Sequence, residues 1–159
     1  METLSSRATR RIEVQLRPLE ANDISNVVAL WYRAWHHTFP DLHHPDPLST
    51  WERRFRDDLA CRGTVWVVEG CRGIVGFIVV MIQEHYLDQI FVDPAHQQQG
   101  IGAFLLAKAK ALCPQSLTLH TLQRNTQASE FYERHGFTAG WRGINKINGL
   151  PNVEYRWQS

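Results

Sequence analysis

The chain lacks any run approaching the roughly 18 apolar residues that a membrane-spanning helix needs, and residues 1–11 have no hydrophobic centre of the kind a secretion signal carries. It has no C-x-x-C pair: Cys61, Cys71 and Cys113 are scattered and odd in number, which speaks against a disulfide framework and for reduced thiols. A surplus of one charge is also missing. Seventeen Lys and Arg against sixteen Asp and Glu leave a formal charge of +1, too balanced for the broad basic field of a nucleic-acid binder. No Gly-Lys pair is present for a P-loop, and Leu105 stands where a dinucleotide G-x-G-x-x-G beginning at Gly100 would need its third glycine. These absences lead us to expect a cytoplasmic protein without nucleic-acid or membrane partners.

What remains is 159 residues, 43% hydrophobic and 21% charged, enough for one domain with a two-layer core. We expect a flexible leader over residues 1–11 and a single domain over residues 12–159. Arg7, Arg10 and Arg11 with nearby Ser and Thr faintly resemble a transit segment, but a frayed terminus is the plainer reading.

Ile12, Val14 and Leu16 alternate as a short strand that stops at Pro18. Behind Asn22 or Asp23 as cap, Ile24, Val27, Val28, Trp31, Ala34 and Trp35 follow helical spacing. Three prolines between Pro40 and Pro47 force a loop over His36–Pro47. Trp51, Phe55 and Leu59, behind Ser49 or Thr50, predict a second helix. Thr64–Glu69 and Ile74–Ile82 read as a hairpin joined at Gly70–Gly73, and Tyr86–Val92 as a third strand. Gly100–Cys113 predicts a helix covered on most sides, Leu117–Thr121 a strand, and Asn125–Arg134 a helix closed by Gly136. Phe137 onward is β, with Asn148-Gly149 turning the chain before Val153–Trp157. The sum is an α/β (α+β) fold, a mixed central sheet with helices on both faces.

The chemistry concentrates where a strand ending at Val92 leads through Gln97-Gln98-Gln99-Gly100-Ile101-Gly102 into a helix. Backbone N–H groups at a helix N-terminus lack partners and carry partial positive charge, so they can donate to phosphate oxygens. Glycine at 100 and 102 lets those oxygens approach. Read alone, the two glycines fit close helix–strand packing as well.

They do not stand alone. Gln97, Gly100 and Gly102 fit the Q/R-x-x-G-x-G/A signature of the GNAT superfamily of N-acetyltransferases, and Asn125, Ala128, Phe131, Tyr132, Gly136 and Phe137 fit its second signature. The chain therefore resembles that superfamily from Ile12 to Trp157. The resemblance implies acetyl-CoA as cosubstrate, threaded between splayed strands at Tyr86–Val92 and Ser116–Thr121. It implies that Phe91 and Val92 meet the pantetheine arm by their backbones, that Gln97, Gln98, Gln99, Gly100, Ile101 and Gly102 hold the pyrophosphate, and that Asn125 reaches the arm from the far side. Glutamines stand where relatives often have arginine, so backbone dipoles carry more of the affinity and salt dependence is weak.

By the same resemblance Tyr132 faces the departing sulfur and Asp88 accepts the amine's proton, with Glu84 and His85 as alternatives for the base. Attack is direct, in a ternary complex, with no covalent enzyme intermediate. The acceptor is an amine, with a small molecule favoured, received by Trp31 and Trp35 and by Phe39, Asp41 and Asp46 of the histidine loop; for Trp31 and Trp35 core packing is the plainer reading. No metal is expected, although four histidines and two aspartates in this loop raise a metal module as a rival. A catalytically silent acyl-CoA sensor is the other rival. A homodimer is compatible with the reading.

Overall fold

A computed structural model describes residues 2–4, 13–146 and 148–159. Within them the elements run β1 (Glu2–Leu4), β2 (Val14–Pro18), α1 (Ile24–Thr38), α2 (Leu48–Arg54), α3 (Ala60–Arg62), β3 (Thr64–Gly70), β4 (Gly73–Met81), β5 (Tyr86–Val92), α4 (Ile101–Leu112), β6 (Ser116–Leu122), α5 (Thr126–Arg134), β7 (Thr138–Ile144) and β8 (Pro151–Gln158). The eight strands form one sheet in the order β1-β2-β3-β4-β5-β6-β8-β7. Every neighbouring pair is antiparallel except β5 and β6, which run parallel. Glu2–Leu4, read from sequence as part of a flexible leader, instead extend the sheet by pairing with β2; Ile12, read as the start of β2, lies outside the described residues.

Strand alternation distributes the core over both faces. Val65, Val67, Phe77, Val79 and Met81 point to one side, where Val27, Val28, Trp31, Trp51 and Phe55 of the α1–α3 region cover them. Val68, Ile78, Val80 and Leu87 point to the other, against Ile101, Leu105 and Leu106 of α4 and Tyr132 of α5. β4 is therefore buried on both faces, which explains its unbroken apolar run. Gly76 is what lets α4 sit so near: a Cβ there would meet Leu105 at 3.0 Å and Ile101 at 3.3 Å.

Three local expectations change. α4 buries one stripe rather than most of its circumference, leaving Ala107 and Ala111 exposed, because alanine supplied an apolar count without a need for cover. α2 begins one residue after Pro47, so Ser49 and Thr50 fall inside its first turn and cap nothing. Between α2 and α3, Phe55–Leu59 forms a π-helical turn, with Ala60 N–H donating to the Phe55 carbonyl. The repeat of four among Trp51, Phe55 and Leu59 exceeds the 3.6 of an α-helix, and the wider turn keeps all three on the core face.

Candidate active site

The site begins where two strands part. β5 and β6 are in register only at Tyr86 and Thr118, where Thr118 N–H donates to the His85 carbonyl at 2.9 Å. Beyond that point the sheet opens. Pairing with β4 steps from Val79–Gln89 to Val80–Leu87, so Asp88 is the unpaired residue of a bulge at the root of the opening. Bulges bend a strand and redirect a side chain, and the Asp88 carboxylate lines the resulting cleft of about 740 Å3. Tyr86 to Val92 form one wall and Leu119 to Leu122 the other. The edge of β5 facing β6 past Tyr86 thus carries backbone groups free for an extended ligand.

One lip is the segment after β5. Gln98 (φ 64°) and Gly100 (φ 83°) are both left-handed, and Gly100 is the N-cap of α4, with no side chain to cover the helix's first N–H groups. Such left-handed residues at a helix start can turn neighbouring N–H groups toward one concavity suited to an anion. Arg33 bonds Asp93 at 2.9 Å and Asp93 accepts from Ala95 N–H, tying the approach to α1. The Gln97 side chain donates to the Val92 carbonyl at 3.3 Å. Gly102 has a packing role as well: a Cβ there would touch the Phe131 ring at 3.4 Å.

Tyr132 stands at the other lip, on α5. It is 7% exposed and packed among Phe131, Phe137 and Tyr155 at ring separations of 5.4, 5.7 and 5.9 Å. No described residue hydrogen-bonds its hydroxyl, and burial together with nearby Tyr86 pushes its pKa above the ordinary tyrosine value. Asn125 caps α5, its Oδ1 accepting from Ala128 N–H at 3.1 Å, while also lining the cleft.

Of the residues singled out from sequence, the cleft gathers Tyr132, Asp88, Phe91, Val92, Gln97, Gln98, Gly100, Gly102, Asn125, Trp35 and Phe39. Three fall elsewhere. Ile101 is 1% exposed in the core beneath α4, which leaves only its backbone for binding, and Gln99, half-exposed beside the cleft lining, buries an Oε1 with no partner among the described residues. Asp41 is exposed and held by Arg124 at 2.8 and 2.9 Å, so the acidic residue of the histidine loop that reaches the cleft is Asp46. Of the alternative bases, Glu84 is exposed outside the cleft and His85 pairs with Ser116 Oγ at 3.0 Å. In the histidine loop His36 binds the Tyr32 carbonyl, and His44 packs between Trp35 and Trp51. Among the described residues no three His, Cys, Asp or Glu side chains converge as metal ligands.

The sequence reading missed Tyr86 and His120, whose hydroxyl and Nδ1 lie 2.8 Å apart in the cleft. Burial first, then Asp88 and Glu154, push the Tyr86 phenol up to about 12. Burial likewise raises Asp88 above the usual carboxylate range, against hydrogen bonding from Gln89 and the pull of Arg54 and Arg62. The strand pattern pointed to neither Tyr86 nor His120, because only the parting of β5 from β6 makes their positions line a cavity.

A sheet opened between two parallel strands, with backbone N–H groups of a helix start on one lip and a buried phenol on the other, has the form of a site for group transfer from an extended ligand. Comparison with known proteins supplies the family. Residues 61–139 match the acetyltransferase (GNAT) domain model. The chain is 33% identical over 128 residues to the uncharacterized N-acetyltransferase YafP of Escherichia coli K12, covering 78% of this chain and 81% of that protein. It is 28% identical to the peptidyl-lysine N-acetyltransferase YjaB of the same organism, covering 89% and 97%. Among solved structures, the PaiA N-acetyltransferase of Thermoplasma acidophilum in complex with coenzyme A shares the fold, with a TM-score of 0.71 at 16% identity over 92% of this chain and 99% of that one. The chain belongs to the GNAT superfamily and is an acyl-CoA-dependent acetyltransferase.

Proposed function

We propose that the chain transfers an acetyl group from acetyl-CoA to a small primary amine by direct attack in a ternary complex. The observation that carries this reading is the junction at the root of the cleft. There the bulged Asp88 and the unpartnered Tyr132 hydroxyl share one cavity with the open edge of β5 and the Gln97–Gly102 concavity. These residues fit an extended thioester with a pyrophosphate. The left-handed Gln98 and Gly100 supply backbone donors to the phosphates, the Phe91 and Val92 backbone meets the pantetheine arm, and Asn125 approaches from α5. When bound, acetyl-CoA supplies an activated thioester carbonyl.

The remaining work falls to the chain. An alkylammonium with a pKa of about 10 has a free-base fraction of roughly one in 10^3 at neutral pH, so the nitrogen must be deprotonated on entry or as it attacks. Asp88 takes that proton, and its burial favours the protonated product of the step. As the carbon–nitrogen bond forms and the carbon–sulfur bond breaks, the electron pair passes to sulfur. Tyr132 donates a hydrogen bond to it. A thiolate whose thiol has a pKa near 8.5 cannot take a proton from a phenol of about 10 without roughly 2 kcal/mol of cost. Burial raises the phenol further, so Tyr132 stabilises the thiolate rather than protonating it.

A small acceptor is supported by the enclosure of the histidine-loop side. Trp31, Trp35, Phe39 and Trp51 line the cleft, and the Arg124–Asp41 pair fastens the loop to the start of α5. The name of YjaB favours a second reading, a lysine side chain of a peptide. Thiol release from acetyl-CoA over a panel of small amines and lysine peptides tests both. Turnover of small amines at higher kcat/KM than any peptide is expected, and the reverse order transfers the proposal to peptidyl lysine. Absence of turnover throughout refutes both.

A further inference from the structure

Two described arginines are withdrawn from solvent, Arg17 and Arg54. Arg17 spends its charge on two carboxylates, Asp23 at 2.7 Å and Glu69 at 2.7 Å. Arg54 pairs with no carboxylate among the described residues. Its guanidinium lies 5.8 Å from the Trp31 ring and lines the acceptor half of the cleft, with Trp35, Trp51, Asp46 and Asp88. Asp58 and Asp88 sense its charge, but neither closes a salt bridge with it. A half-buried guanidinium presents a planar fork of donors that matches a carboxylate bidentately, and with no carboxylate partner among the described residues that fork is free to meet a ligand in the cleft. The chain also places Arg54 as the last residue of α2, where the π-helical turn begins; such turns recur at functional sites.

We propose that Arg54 is the anion-binding residue of the acceptor site, so that the acceptor is a small amine that also carries a carboxylate. This rests on the reading of the cleft as an amine acetylation site and names its substrate class. α2 supplies the cation for the carboxylate, β5 supplies Asp88 for the amine, and the tryptophans between them form an apolar wall for the body of the molecule.

The test uses matched pairs that differ only in the carboxylate: 4-aminobutyrate against propylamine, 6-aminohexanoate against pentylamine, and phenylalanine against phenethylamine. In the wild type the aminocarboxylate of at least one pair should exceed its partner in kcat/KM by about 10-fold or more. Arg54→Gln should reduce that ratio by about 10- to 100-fold, the range of a charge-assisted hydrogen bond, and Arg54→Lys should restore part of it. A ratio at or below one for every pair in the wild type, or a ratio unmoved by Arg54→Gln, overturns the inference while leaving amine acetylation intact. If Arg54 instead only tunes Asp88, Arg54→Gln shifts the pH profile of both members equally and the ratio stays, which also overturns it. Calorimetric binding of the same pairs to the coenzyme A-loaded protein reads the site without turnover. Carboxylate-dependent binding that Arg54→Gln abolishes upholds the anion site even if acetyl transfer fails. Binding that ignores the carboxylate refutes it. Thermal melts confirm that the variants are folded.

Discussion

Tyr132→Phe separates chemistry from stability, because the proposed reaction uses the hydroxyl while no described residue bonds to it in the fold. The ring is packed on three sides by aromatic neighbours that the substitution leaves untouched. The hydroxyl has no hydrogen-bond partner among the described residues, so its removal breaks no native bond and takes a polar atom out of a buried site. The unfolding free energy should therefore stay within about 0.5 kcal/mol of wild type or rise by up to about 1 kcal/mol. In the proposed reaction the same hydroxyl meets a developing thiolate, and a hydrogen bond to a charged group is worth about 1.5–3 kcal/mol. That converts to a loss of about 10- to 150-fold in kcat. The KM for acetyl-CoA should move less than about twofold, since the bond forms only as sulfur becomes charged. Because burial raises the phenol's pKa, it stays protonated and the ratio of wild-type to variant kcat should be flat from pH 6 to pH 9. The assay is thiol release at saturating substrates, with urea melts on the same preparations. A kcat within twofold of wild type, or a stability loss above about 1 kcal/mol, would show that the hydroxyl serves the fold instead.

Asp88→Asn should lower kcat by about 100-fold, the lower end of general-base contributions, and remove the acidic limb of the pH profile. Burial raises this carboxyl in the folded state, so its charge opposes folding increasingly as pH climbs above the unfolded value near 3.8; the variant should gain stability at pH 7 and lose that gain near pH 3. Gly100→Ala places a Cβ at φ 83°, so urea melts should show a loss of about 1 kcal/mol and calorimetry a weakened coenzyme A complex. At Asp23 the Arg17 hydrogen bond, 2.7 Å long, holds the carboxyl below its usual range. Its contribution is complete above about pH 4 and fades as pH falls, so Asp23→Asn should cost about 1–2 kcal/mol at pH 7 and progressively less in acid. On the proposal that backbone amides hold the pyrophosphate, raising salt from 50 to 300 mM should weaken acetyl-CoA binding less than about threefold; a tenfold drop would point to side-chain cations instead.

Much of the fold was legible because its signals are local. A β-rich run ending at Asp93-Pro94 located β5 to the residue, and glycines at 73, 136 and 149 marked the turns where φ becomes positive. The spacing of Gln97, Gly100 and Gly102, and of Asn125 to Phe137, marked both lips of the cleft before any coordinates. Signals that count residue types without their surroundings were weaker. Alanine-rich α4 looked more buried than it is, and Asp41 looked like a substrate residue until Arg124, 83 positions away in sequence, claimed it.

The sequence by itself determined the order of elements and the two motifs that line the cleft from opposite lips, Gln97–Gly102 and Asn125–Phe137, since each depends on spacing within about a dozen residues. Only the tertiary structure decided which edge of β5 stays unpaired, that Asp88 sits on a bulge at the root of the opening, and that Arg54 enters the same cleft with no carboxylate partner among the described residues. The physical reason is that a strand's free edge, a bulge and an unpaired charge are defined by what lies across from them. That partner comes from segments far away in the chain, which no local pattern encodes.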